Sequence, residues 1–169
     1  HTTADFDYAD NLTFSDHAVQ KGIAALKSGC DIVTDTQMAK AGINKTILAS
    51  LGGEVHCFMS DPDVAQEARS RGVTRAFVSM EKAAALEKPC IFAIGNAPTA
   101  LLSLEQLMEE GKAAPALIIG VPVGFVNVEI SKERIIEKAR APYIVARGRK
   151  GGSNVAAAIC NALLYQIRR

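Results

Sequence analysis

The sequence predicts a three-layer α/β/α domain on a mostly parallel five-stranded sheet, and three observations predict it. Short runs rich in Val, Ile, Phe and Ala alternate with longer stretches of helical spacing. The short runs are almost continuously apolar, as strands covered on both faces are. Asn, Asp, Pro and Gly fall where helices begin and end. Strands alternating with helices imply right-handed crossovers, and hence a parallel sheet sandwiched between helices.

In chain order, strands are expected at residues 31–33, 55–59, 90–94, 116–121 and 143–146. Before the first, Val19, Ile23 and Leu26 share one helical face. Asn44 and Gly52 bracket a helix over 45–51. Asp61 and Pro62 suit an N-cap and first helical position, and Gly72 ends that helix behind Arg69 and Arg71. After the third strand, Asn96 suits a cap and Pro98 a first turn, with Leu101, Leu104 and Met108 on one face. Ser131 is expected to cap the helix carrying Ile135 and Ile136, and Pro142 stops it. Ser153 or Asn154 is expected to cap the last helix, along which Val155, Ile159, Leu163 and Ile167 recur at every fourth position.

Composition narrows the function classes. With 169 residues, 49% of them hydrophobic, the chain has the material for one well-buried core. Lys+Arg 19 against Asp+Glu 18 leaves a net +1, so no global field draws nucleic acid or an anionic membrane. The longest apolar stretch, 116–126, is interrupted by Gly120, Pro122 and Gly124 and is too short to span a bilayer. Cys30, Cys57, Cys90 and Cys160 form no C-x-x-C pair, and His1, His17 and His56 form no ligand cluster. No metal is expected, and a reducing cytoplasm is.

Open parallel sheets bind ligands at the carboxyl ends of their strands, where helix N-termini offer free N–H groups. The loops to inspect are therefore 34–36, 60–61, 95–99, 120–127 and 147–154. In the last, Arg147, Arg149 and Lys150 precede Gly151, Gly152 and Ser153, a composition suited to a carboxylate or phosphate. It lacks the order of a Walker A loop, and a solvated basic turn explains the same residues. Thr99 can present a hydroxyl, although a plain strand-to-helix turn also accounts for 95–99. Arg75 stands at a helix start, where a cation opposes the dipole and can instead meet a ligand. Asp35 can cap the helix that follows it. His56 and Cys57, adjacent on a strand, face opposite ways and are structural. His1, amid Thr2, Thr3, Asp5 and Asp7, taken alone is a frayed terminus.

Together these segments resemble one family. His1-Thr2-Thr3-Ala4-Asp5-Phe6, the run Gly95-Asn96-Ala97-Pro98-Thr99-Ala100-Leu101, Gly120-Val121-Pro122-Val123-Gly124-Phe125-Val126 and Arg147-Gly148-Arg149-Lys150-Gly151-Gly152-Ser153 resemble, in this order, precorrin-8X methylmutases, and more closely the cobalt-precorrin-8 enzymes. The resemblance implies a homodimer with a Rossmann-like sheet, a tetrapyrrole substrate near the subunit interface, and a methyl shift from C11 to C12 of the corrin ring. It implies neither a methyl donor nor a separate cofactor. The family's catalytic histidine lies in a segment I-H-[AST]-x-x-[DM], which puts His1 in that role. Arg75, Asn96, Thr99, Arg147, Arg149, Lys150, Gly151, Gly152 and Ser153 become candidate substrate ligands, and Phe125 and Val126 a wall for the ring or a dimer contact. The resemblance further implies one methylmutase domain over 1–169 that lacks a preceding segment of the family, and weak or no activity for the chain by itself. Two other readings are a flavodoxin-like flavin-binding module, which the absence of a glycine at 34–36 and of Trp disfavours, and a noncatalytic corrinoid-binding subunit.

Overall fold

The computed structural model describes residues 1–138 and 140–167. Its sheet is built from β1 (Leu12–Phe14), β2 (Asp31–Thr34), β3 (Val55–His56), β4 (Cys90–Ile94), β5 (Leu117–Gly120) and β6 (Tyr143–Ala146). Their order across the sheet is β1-β6-β5-β4-β2-β3. All pairings are parallel except β1 with β6, where Leu12 faces Ala146 and Phe14 faces Ile144. The sheet therefore has six strands where five were expected. Three residues between polar neighbours are too few to show a strand period, and β1 exists because the edge of β6 supplies its hydrogen bonds. At the opposite edge β3 stops at His56 instead of running to 59, since only one side of it has a partner.

Every residue of β2, β4, β5 and β6 is buried, which explains the unbroken apolar character of β4, β5 and β6; in β2 the apolar Ile32 and Val33 lie between buried Asp31 and Thr34. One layer consists of α2 (Ala18–Lys27), α3 (Gln37–Gly42), α4 (Lys45–Ser50) and α9 (Ser153–Ile167). They bury Leu26, Leu48, Val155 and Leu163 against Ile32, Ile91 and Leu117. The other layer consists of α6 (Arg75–Ala84), α7 (Pro98–Glu109) and α8 (Val128–Lys138), with α5 (Pro62–Arg71) packed on α6. Here Met80, Leu101, Leu104 and Ile135 meet Phe92, Ile94 and Val145. A short α1 (Asp7–Asn11) leads into β1.

Some local signals behave as the physics of helix ends requires, and others do not. Gly72 closes α5 in the left-handed conformation at φ 64°, and Asn44 caps α4 by accepting from the Ile47 N–H at 3.0 Å. Asp61 occupies the N-cap of α5, but its carboxylate takes Lys82 at 2.8 Å in place of a backbone N–H. Ser131 does not cap α8, which begins at Val128; the hydroxyl is buried and donates back to the Val128 carbonyl at 2.8 Å. Ser153 and Asn154 lie inside α9 and do not cap it from outside.

Two glycines are required by close approach. A Cβ on Gly95 would meet the Gly152 carbonyl oxygen and the Ser153 Cα at 2.8 Å, and one on Gly151 would strike the Val121 carbonyl oxygen. The loops after β4, β5 and β6 are thus packed backbone to backbone. Gly95→Ala is expected to cost about 1–3 kcal/mol in urea unfolding through this overlap. Gly111→Ala, with open space around it and only its φ of 71° to oppose it, is expected to cost about 1 kcal/mol.

Candidate active site

The strand order reverses between β2 and β4, the position where a doubly wound sheet ordinarily opens a ligand crevice. In this chain the crevice is filled from within. Asp35, 1% exposed, follows β2 and turns its carboxylate across to the loop after β4. It accepts the N–H groups of Gly95 at 2.8 Å, Asn96 at 2.8 Å and Ala97 at 2.6 Å. They lead directly into Pro98, the first residue of α7, so the carboxylate sits at that helix's amino end, where a negative charge is also favoured by the helix dipole. Burial still pushes the Asp35 carboxyl above its ordinary range, against the pull of those N–H groups. Asp35 does not cap the helix following it, as its position suggested. Thr36 does so, accepting from the Ala39 N–H at 3.1 Å, and its hydroxyl also meets the Ser153 hydroxyl at 2.7 Å.

Asn96 is accordingly not a cap. It is exposed, Ala97 holds the N-cap position without a side-chain bond, and the capping group arrives from Asp35. Thr99 is half-buried in the first turn of α7 and lines a shallow cleft of about 290 Å³ with Thr74, Phe77 and Leu102. Arg75 is exposed as the first residue of α6. Both belong to the layer opposite α9, so within one chain they are not brought to the same face as His1.

The basic turn between β6 and α9 is exposed at Arg147, Arg149 and Lys150, yet each cation is already paired. Arg147 donates to Glu133 at 2.9 and 2.6 Å, and Arg149 to Glu129 at 3.0 Å, with its guanidinium over the Phe125 ring at 5.7 Å. Lys150 donates to Asp5 at 2.7 Å and Asp7 at 2.6 Å. Three cations facing four carboxylates do not make a cationic funnel. The pairing with Arg147 holds the Glu133 carboxyl below its usual range, and Lys150 does the same to Asp5. Exposed pairs of this kind are weak and exchangeable, so a polycarboxylate can compete for the cations. Beneath them Gly152, buried, donates to the Val121 carbonyl at 2.9 Å and immediately precedes α9.

The Lys150 contacts also fix the chain's opening segment. A turn closed by the Ala4 N–H on the His1 carbonyl at 3.2 Å leads into Asp5, whose N–H meets the Thr3 hydroxyl at 3.3 Å. His1 lies exposed on the rim of a cleft of about 690 Å³. Thr3, Tyr8 and Leu12 form one wall and Val155, Ile159 and Tyr165 of α9 the other. Its size falls in the range of about 300–1,000 Å³ typical of small-molecule sites, and its walls are largely apolar. A cavity of about 350 Å³ under Lys88 and Cys90 sits at the amino edge of the sheet, away from every predicted site residue.

The remaining candidates for chemistry are structural or silent. His56 is half-buried and meets Asp31 at 2.9 Å, and Cys57 is buried behind it. Among the described residues no group of acids, histidines and cysteines has a metal-holding arrangement, and no helix is long and apolar enough to cross a membrane. Sequence reasoning passed over Lys132, which is fully buried below the basic turn. The available signal was its place four residues after Val128 and three before Ile135, on the apolar face of α8.

Comparison with known proteins agrees over nearly the full chain. The precorrin-8X methylmutase family matches residues 1–166. Cobalt-precorrin-8 methylmutase of Salmonella typhimurium is 49% identical over 169 residues, which are 99% of this chain and 78% of that protein. Precorrin-8X methylmutase of Pseudomonas aeruginosa is 40% identical over 164 residues, 96% of this chain and 78% of that one. The crystal structure of precorrin-8x methyl mutase from Thermus thermophilus superposes with a TM-score of 0.88 at 39% identity, covering 99% of this chain and 82% of that chain.

Replacing the Asp35 carboxylate by an amide puts an N–H₂ against backbone donors. Asp35→Asn is expected to lose about 2–4 kcal/mol in urea unfolding and to speed amide exchange at Gly95, Asn96 and Ala97.

Proposed function

The chain belongs to the precorrin-8X methylmutase family, and from that premise we propose how its own residues carry the family's reaction. It is an isomerase of cobalamin biosynthesis that moves the methyl group on C11 of the corrin ring to C12, turning precorrin-8X into hydrogenobyrinate or the cobalt form into cobyrinate. The bond from C11 to the methyl carbon breaks as the bond to C12 forms, formally a [1,5]-sigmatropic shift, and no electrons enter or leave. What the protein supplies is position and a proton.

His1 is assigned the proton. An imidazole changes charge near neutral pH, so it can lend a hydrogen to the ring beside the migrating methyl and recover it once the shift is complete. Its place on the rim of the α9 cleft, next to apolar walls, supports this role, and holding the ring there supplies the orientation part of the rate. Arg147, Arg149 and Lys150 are assigned to the substrate's carboxylates, exchanging Glu133, Glu129, Asp5 and Asp7 for them. Gly151, Gly152 and Ser153 set the backbone under those cations, and Arg75, Asn96 and Thr99 are assigned to carboxylates reaching the other layer. The cobalt-containing ring is taken as the substrate, since the more similar of the two curated relatives above bears that name.

A homodimer is also proposed. Phe6 is 91% exposed, Phe125 85% and Val126 77%, an outlay of apolar surface that one chain leaves uncovered. Phe125 lies under Arg149, while Phe6 lies between the two acids that hold Lys150, so both flank the same basic turn. A reducing cytoplasm suits the four cysteines, all free and buried. The flavin-binding alternative has no support from the comparisons, and Asp35 already occupies the amides a phosphate would need. A subunit that only binds corrinoids has no support from them either.

Incubating the full-length protein with each ring and following the chromophore's absorption tests the assignment. The cobalt form is expected to show the higher kcat/KM, and His1→Ala to lower kcat about 10²–10⁴-fold; undiminished turnover in the variant removes the proposed acid. Light scattering is expected to give twice the protomer mass. Phe125→Asp with Val126→Asp is expected to halve it, and an unchanged mass would place the contact elsewhere.

A further inference from the structure

We infer that Lys132 is a positioning residue for substrate binding, tying the backbone of the basic turn from below so that its cations face outward. The inference rests on the carboxylate-binding role proposed for that turn. Lys132 is 0% exposed on α8, and an ammonium survives such burial only where its donors are used. Its Nζ donates to the carbonyl of Gly148 at 2.8 Å and to that of Lys150 at 2.9 Å. The carbonyl between them, on Arg149, accepts the Gly124 N–H at 3.1 Å.

Three consecutive carbonyls are therefore held by the protein, two by Lys132 and one by the loop after β5. A turn of that kind needs a left-handed residue, and Gly148 provides it at φ 79°. With the carbonyls held inside, the side chains of Arg149 and Lys150 stand in solvent. The same helix reinforces the arrangement on either side of Lys132, because Glu129 takes Arg149 and Glu133 takes Arg147. Burial draws the Lys132 ammonium down to about 8, with Glu129 opposing, so the charged form, two of whose donors take the turn's carbonyls, is the prevailing one at neutral pH. Neither Lys132 nor the three residues whose carbonyls are held lines the cleft beside His1. The residue acts through the loop, and its loss falls on binding.

The test uses Lys132→Met and Lys132→Gln in the full-length protein with cobalt-precorrin-8, with cobyrinate titrated separately to measure product affinity. KM and the product Kd are expected to rise about tenfold to a hundredfold. Turnover at saturation should stay within about threefold, and amide exchange over Gly148–Gly152 should quicken. Arg149→Ala should then add little in the Lys132→Met background, since both act on the same contact. A folded variant with unchanged KM and product affinity overturns the inference, as does a fall in kcat with KM unmoved. Should both Lys132 variants fail to fold, Gly148→Ala, which displaces the same carbonyl in an exposed turn, must raise KM by itself, and no rise overturns it. If the wild-type protein leaves the ring unaltered, the proposed reaction fails, while product binding and amide exchange still decide the role of Lys132.

Discussion

The carboxylate of Asp35 is the constraint on which the rest of this structure depends. A buried anion is tolerated only where donors converge on it, and here three consecutive backbone N–H groups do so at 2.6–2.8 Å. The consequence is architectural. The crevice at the reversal of strand order, which in many parallel sheets receives a ligand's phosphate, is closed by the chain's own acid. Thr36, one residue on, ties Ser153 and so brings the start of α9 over the same point, where Gly95 and Gly152 touch backbone to backbone. With the crevice sealed, the surface proposed for a large substrate lies further out, along the outer side of α9 and the segment that begins at His1.

That displacement gives the chemistry its setting. A corrin ring is broad, flat and edged with carboxylates, and it does not fit a narrow slot between strand ends. A cleft walled by Tyr8, Leu12, Ile159 and Tyr165, with exposed cations nearby and a histidine at the rim, matches those needs more closely. The cations are not idle in the meantime. Asp5 and Asp7 take Lys150, so the segment carrying His1 and the turn carrying the cations share one exchangeable ionic contact. On the proposed assignment, substrate carboxylates that displace those acids would shift the segment carrying His1 as they bind, coupling recognition to the placement of the proposed acid.

How much of this was legible in the sequence follows from which interactions are local. The continuous apolar runs of β4, β5 and β6, and the i, i+4 spacing from Val155 to Ile167, announce layers and strands because burial is written residue by residue. β1 was not legible, since three residues carry no period and its existence depends on a partner 130 residues away in the chain or more. The cations of the basic turn stand out by composition, but their partners do not, because Glu129 and Glu133 lie on an earlier helix and nothing local links them to Arg149 and Arg147. Asp35 was misjudged for the same reason. An acid at a helix start reads as that helix's cap, and only the fold reveals that its carboxylate spans 60 residues to Gly95. Lys132 is the instructive case: a lone lysine on an apolar face is a conspicuous local conflict, and such conflicts mark where tertiary structure uses a charge.

The most direct measurement is a crystal structure of the full-length protein with hydrogenobyrinate or cobyrinate bound. The account predicts the ring lying in the cleft beside α9, a His1 ring nitrogen within hydrogen-bond distance of the macrocycle next to C11 and C12, and peripheral carboxylates on Arg149 and Lys150 in place of Glu129, Asp5 and Asp7. A ring seated elsewhere, with no His1 from either copy approaching it, would contradict the account.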